Sequence, residues 1–222
     1  MEFFLPGATG DFLSRYIHVL AGIAWIGLLY YFNFVQTEYF KEADPDARTD
    51  AFTKLVPRAL WWFRWAAMLT FLTGVIMLGS RGSGMTYDIL IGAVLGTLMF
   101  LNVWLIIWPN QRTLVESNRR VKEGGEALPE AKAAAPKAAL ASRTNTLFSV
   151  PMLFFMISSA HGVQGGGITD ASVLSLVIVL LLILLLELNA IFGKPGPIAS
   201  VKGVITGGFV LLGVLWALVR LI

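Results

Sequence analysis

The stretch Ala171–Phe192, ASVLSLVIVLLLILLLELNAIF, holds one charged side chain, Glu187, in 22 positions. At 1.5 Å per residue such a helix covers about 30 Å, the thickness of a bilayer's hydrocarbon core, and satisfies its own backbone N–H and C=O groups there. Five other runs have the same character: Phe12–Gln36, Leu60–Gly79, Tyr87–Trp108, Thr146–Gly165 and Val201–Leu221. The chain therefore reads as an all-α, polytopic transmembrane helix bundle of about six spans, residues 1–222 forming a single membrane domain. Composition agrees. Hydrophobic residues are 56% and charged residues 14% of the chain, with mean hydropathy +0.72, whereas soluble domains sit near 45–50% and about 25%. The short alternating segments of an outer-membrane barrel are not visible. The first run has neither a basic leader nor a small-residue cleavage site, so no cleavable signal peptide is expected.

Punctuation supports these boundaries. Pro57 is expected just ahead of the second span, where proline costs a helix least. Gly165-Gly166-Gly167 follows the fourth span and Gly193-Lys194-Pro195-Gly196-Pro197 the fifth. Gly92/Gly96 and Gly203/Gly207 are small-residue pairs that allow helices to approach closely. The connection 110–145 reads as a solvated, partly helical cytoplasmic linker between two three-span halves. Its centre, Ala127–Ser142, is read as lacking an apolar stripe.

Lys and Arg fix an expected orientation. Four follow the first span, seven the third and two the fifth, against Arg15, Arg81 and Arg220 on the other side. Thirteen against three puts both termini outside by the positive-inside rule. The excess, with a net charge of +3, belongs to membrane topology and the lipid bilayer, and no nucleic-acid partner is expected. Trp61, Trp62, Trp104 and Trp108 fall at the inferred inner ends, as an interfacial belt does, and Lys54, Arg58 and Arg64 form a basic rim there.

Cysteine is absent, which excludes disulfides, thiolate metal sites and covalently attached haem c. Only two histidines occur, both inside spans. His18 lies about 9 Å and His161 about 6 Å below the outer end of its helix at 1.5 Å per residue. Two imidazoles at similar depth on different helices suit the axial positions of a haem b iron, so His18 and His161 are the expected metal ligands. Gly22 and Trp25 share the helical face of His18 and are expected to border the macrocycle. Arg15 and Arg81 are candidate partners for haem propionates. Ser158, Ser159 and Gln164 flank His161 and can orient an imidazole. Glu187 reads as a plain interfacial carboxylate, with a place on a proton path as its alternative, and Asn102 and Asn189 read as interhelical hydrogen-bonders.

The run Arg15–Gly27, RYIHVLAGIAWIG, resembles the first span of the membrane-bound urate oxidase (urate hydroxylase) family. Three other stretches carry the same resemblance: Trp61–Ala66 with Thr70–Gly74; Ile107–Arg112; and Ser142–Thr146 through Pro151–His161. It covers most of residues 12–165 and fades over the last two spans. It implies a urate-oxidising membrane domain that passes electrons to a cytochrome c tail. No such tail follows here, so a separate cytochrome c is the expected partner. The family's larger members carry extra histidines in the first loop and at the start of span two, where this chain has Leu60-Trp61.

A six-coordinate iron has no open position for substrate, and an imidazole bound to it cannot act as a general base. The expected function is therefore haem b electron transfer near the outer leaflet of a bacterial inner (plasma) membrane. Any enzyme activity would be that of a urate oxidase- or dehydrogenase-like oxidoreductase, with urate as the candidate small-molecule substrate. The alternatives are a non-catalytic accessory subunit of a larger respiratory or photosynthetic membrane complex, and a cofactor-free transporter using the histidines on a proton or substrate path.

Overall fold

A computed structural model describes residues 6–161 and 172–221. These fold into six continuous helices. Helix α1 is α-helical over Pro6–Tyr30, winds as a π-turn over Tyr31–Gln36 and resumes over Thr37–Glu42. Helix α2 is Pro45–Ser80. Helix α3 repeats the plan of α1, with α-helix over Tyr87–Leu101, a π-turn over Asn102–Ile107 and α-helix over Trp108–Lys122. Helices α4, α5 and α6 are Ala131–His161, Val173–Phe192 and Val201–Leu221.

Five of the six, all but α4, are long and apolar enough to cross a membrane. The described part of the expected fourth span is Thr146–His161, and its end at Gly165 lies outside the described residues. Helix α4 lacks a wholly apolar surface because it is central, packing on α1, α3, α5 and α6. Its Ser142, Asn145 and Ser149 meet other helices: Ser142 Oγ accepts from Asn33 Nδ2 at 2.8 Å, and Ser149 Oγ lies 2.9 Å from Tyr30 Oη.

Glycines set the closest approaches. A Cβ on Gly92 would stand 2.9 Å from Met156 Cγ, and one on Gly96 3.3 Å from Met156 Cε, so this pair lets α3 and α4 touch. The second pair divides. Gly207 faces Leu147 of α4 and its neighbour Gly208 faces Val150, whereas Gly203 faces Pro197 and Ser200 in the turn before its own helix.

The ends that carry the α1–α2 and α3–α4 connections differ from the expected loops. Only residues 43–44 separate α1 from α2, and Pro57 lies inside α2 rather than ahead of it. At 36 residues each, α2 and α3 are about 54 Å long, well beyond one hydrocarbon core. The connection 110–145 is helical apart from residues 123–130. Ala134, Ala138 and Ala141 are buried at helical spacing, a small-residue stripe whose low hydrophobicity concealed it from a search for larger apolar side chains. Phe40 stacks on Phe52 at 4.7 Å with Arg48 over both rings. Lys122 at the end of α3 reaches Asp50 of α2 at 2.7 Å. Trp61, Trp62 and Trp65 stay exposed on α2, and the Arg64 guanidinium sits 3.7 Å above the Trp108 ring.

Candidate functional site

His18 is on the face of α1 that packs against α2. Its Nδ1 lies 3.2 Å from Thr73 Oγ1. The single hydroxyl hydrogen of Thr73 is directed at backbone carbonyls, Leu69 O at 2.7 Å and Thr70 O at 3.0 Å. With that hydrogen engaged, Thr73 Oγ1 is placed to accept from His18 Nδ1. Gly74 makes room for the ring: a Cβ there would stand 3.2 Å from His18 Cε1.

His161 ends α4 and is exposed. Its Nδ1 lies 3.0 Å from Ile157 O, and a carbonyl only accepts. Here too Nδ1 is the donor. The Tyr30–Ser149 hydrogen bond registers α1 against antiparallel α4. His18 is twelve residues before Tyr30, and His161 is twelve residues after Ser149, in the same direction along the two antiparallel helices. Both therefore lie about 18 Å from that bond along their helices at 1.5 Å per residue. The rings have different supports, His18 from the neighbouring helix and His161 from its own.

The other expected site residues divide. Gly22 faces Thr70 of α2, whose Cγ2 would be 3.9 Å from a Cβ, and Trp25 is 3% exposed in the core. Arg15 is exposed and paired with Asp11 at 2.7 Å, one helical turn away. Arg81, just past α2, donates to Gly84 O at 3.3 Å and Ser159 Oγ at 3.5 Å. Burial, with the nearby positive charge of Arg15, holds the Arg81 guanidinium below its ordinary pKa, partly offset by Asp11. The two guanidiniums thus share one end of the bundle with His18 and His161. Ser158 bonds Asp88 instead of orienting His161, and Gln164 lies outside the described residues. Among the described residues, no three of His, Cys, Asp and Glu gather into a group able to hold a metal ion.

Two polar centres were not anticipated from the sequence. Where the start of α3 meets the end of α6, Arg220 Nη2 donates to both carboxylate oxygens of Asp88, at 3.0 and 3.1 Å, and the Asp88 side chain is 1% exposed. Near the end of α5, Glu187 is 6% exposed and accepts from Asn102, so it is not the plain interfacial carboxylate expected. Asn102 bonds between helices as expected. Asn189 does not: it caps its own helix through Lys194.

The fold and these buried polar contacts define a multi-spanning α-helical membrane protein. Residues 82–191 match the urate oxidase N-terminal family, which makes this part of the chain urate oxidase-like. The match runs from the turn before α3 nearly to the end of α5. It includes His161 and leaves His18 and the first two helices outside. No curated protein and no solved structure matches the chain.

Proposed function

We propose that this chain is a membrane haem b redox protein that relays electrons near the outer face of the bilayer. The observation that carries the reading is the state of its two imidazoles. Each has Nδ1 engaged with an oxygen, which leaves Nε2 as the nitrogen that would meet an iron, at one level on antiparallel helices. This donor set fits axial ligation by His18 and His161, with Thr73 fixing one ring as outer-shell acceptors do for metal-bound histidines. Haem b, when bound, supplies a one-electron iron couple. Arg15 and Arg81 offer positive charge to its propionates. Gly74 leaves room for the His18 ring, while Gly22 lets α1 lie against Thr70 of α2 and Trp25 fills the core beside that face. The Lys/Arg bias turns both chain ends outward, in a bacterial inner membrane.

The urate oxidase likeness supports an oxidoreductase setting, with urate as candidate electron donor and a separate cytochrome c as acceptor. Electron transfer is the test. Protein reduced with dithionite, freed of excess reductant and mixed anaerobically with ferric soluble cytochrome c should reduce it, and His18→Ala should not. Cytochrome that stays oxidised with the wild type would overturn the relay. Urate in place of dithionite asks whether the family's substrate feeds it.

Gly74→Ala supplies a finer test. Its Cβ would crowd the His18 ring at 3.2 Å, so haem affinity should fall about 10-fold, as for other lost outer-shell supports. Gly27→Ala, on the same pair of helices with open space at its Cβ, should leave it unchanged.

A further inference from the structure

Asn102, Asn145 and Glu187 come from three helices and meet in the inner half of the bundle. Asn102 begins the π-turn of α3, a local insertion common at functional sites. It spends both amide hydrogens, donating to Asn145 Oδ1 and to Glu187 Oε2, each at 3.0 Å. Asn145 Nδ2 in turn donates to Met99 O at 2.8 Å, a carbonyl just ahead of the π-turn. Asn102 Oδ1 is buried and has no hydrogen-bond partner in a residue 1% exposed. Glu187 forms no ion pair among the described residues. The cluster thus holds more acceptors than hydrogens, and its one ionisable group is buried without a counter-charge, a costly arrangement in a membrane.

The surrounding helices do not supply the missing charge. Helix α3 presents neutral Asn102 and α4 presents neutral Asn145. Arg143, two residues before Asn145, is buried with Nη1 unpartnered and makes no salt bridge to Glu187. On α6 the charged residues stand near the two ends, Lys202 exposed and Arg220 on Asp88. Helix α5 itself carries no other charge.

We propose that Glu187 is the proton-binding carboxyl of a site in the inner half of the membrane, separate from the paired histidines. Uptake converts Glu187 carboxylate and hydronium into Glu187 carboxylic acid and water. One O–H bond forms and one breaks, with no change in oxidation state. The new O–H supplies the donor the cluster lacks and removes the uncompensated charge. Glu187 lies five residues from the end of α5 at Phe192, about 8 Å along the helix. The Lys/Arg bias turns that end to the cytoplasm, which makes the inner face the shorter route for the proton. A metal cation is less well served. Asn145 Oδ1 and Met99 O already accept amide hydrogens, whereas hard cations gather about six oxygens.

The experiment uses the whole chain in liposomes with a hydrophobic carbodiimide, which attacks protonated carboxyls in apolar surroundings. Glu187 should be the labelled residue, labelling should fall as pH rises, and Glu187→Gln should remove it. Infrared spectra should show the matching carboxylic acid carbonyl band in the wild type, shifted in Glu187→Asp and lost in Glu187→Gln. Helical circular dichroism is the folding control for each variant. A wild type whose Glu187 shows only carboxylate absorption and no labelling at neutral pH would overturn the proposal. So would labelling blocked by sodium but not by choline at equal ionic strength, which would assign the site to a metal cation.

Discussion

Asp88→Ala should destabilise the folded bundle by about 3–5 kcal/mol, the usual cost of removing one member of a buried ion pair. The Asp88 side chain is 1% exposed and accepts from Arg220 and from Ser158. Its loss leaves a guanidinium, 22% exposed, without a counter-charge where the start of α3 meets the end of α6. Arg220→Ala should cost a similar amount by stranding the carboxylate. The double variant should be less damaged than the two single effects combined, because neither charge is then left alone. Reversible unfolding in mixed detergent, read as a double-mutant cycle, measures this. Strictly additive losses would show that the pair contributes no coupling.

His18→Ala and His161→Ala should each abolish low-spin haem, either by releasing the group or by leaving a five-coordinate, high-spin iron. On the proposed ligation the effect should be nearly complete, because the chain has only two histidines and no other imidazole can replace either. Arg15→Gln is the fitting control. Arg15 is exposed and bonded within its own helix, so its removal should weaken haem retention modestly while leaving the low-spin spectrum intact. Retention of the low-spin spectrum in His161→Ala would exclude His161 as a ligand.

The helical architecture was legible because apolar runs long enough to span a bilayer admit few other structures. The same logic made Gly92 and Gly96 readable as a packing surface. The face of α1 carrying His18, Gly22 and Trp25 was also readable from helical spacing. What that face meets was not: the glycine expected to clear space for a porphyrin lies instead against Thr70 of α2. The role of Gly74 depends on a contact across 56 positions of sequence, and that of Asp88 on one across 132. Each residue alone looks ordinary, Asp88 as an acid in the first turn of a helix and Arg220 as a charge at a span end. The polarity of α4 was misleading for a related reason. A central helix can carry Ser142, Asn145 and Ser149 because neighbouring helices, not lipid, satisfy them. The inner extensions were hidden because an alanine stripe does not look like a core.

The most direct measurement is the reduced-minus-oxidised absorption spectrum of the full chain, purified from cells supplied with haem precursor and shown to be folded by circular dichroism. Ligation by His18 and His161 predicts a Soret band and the sharp α and β bands of low-spin haem b, at one haem per chain, in the wild type and not in His18→Ala. A folded wild type with no Soret band, or with an unchanged low-spin spectrum after loss of either histidine, would contradict it.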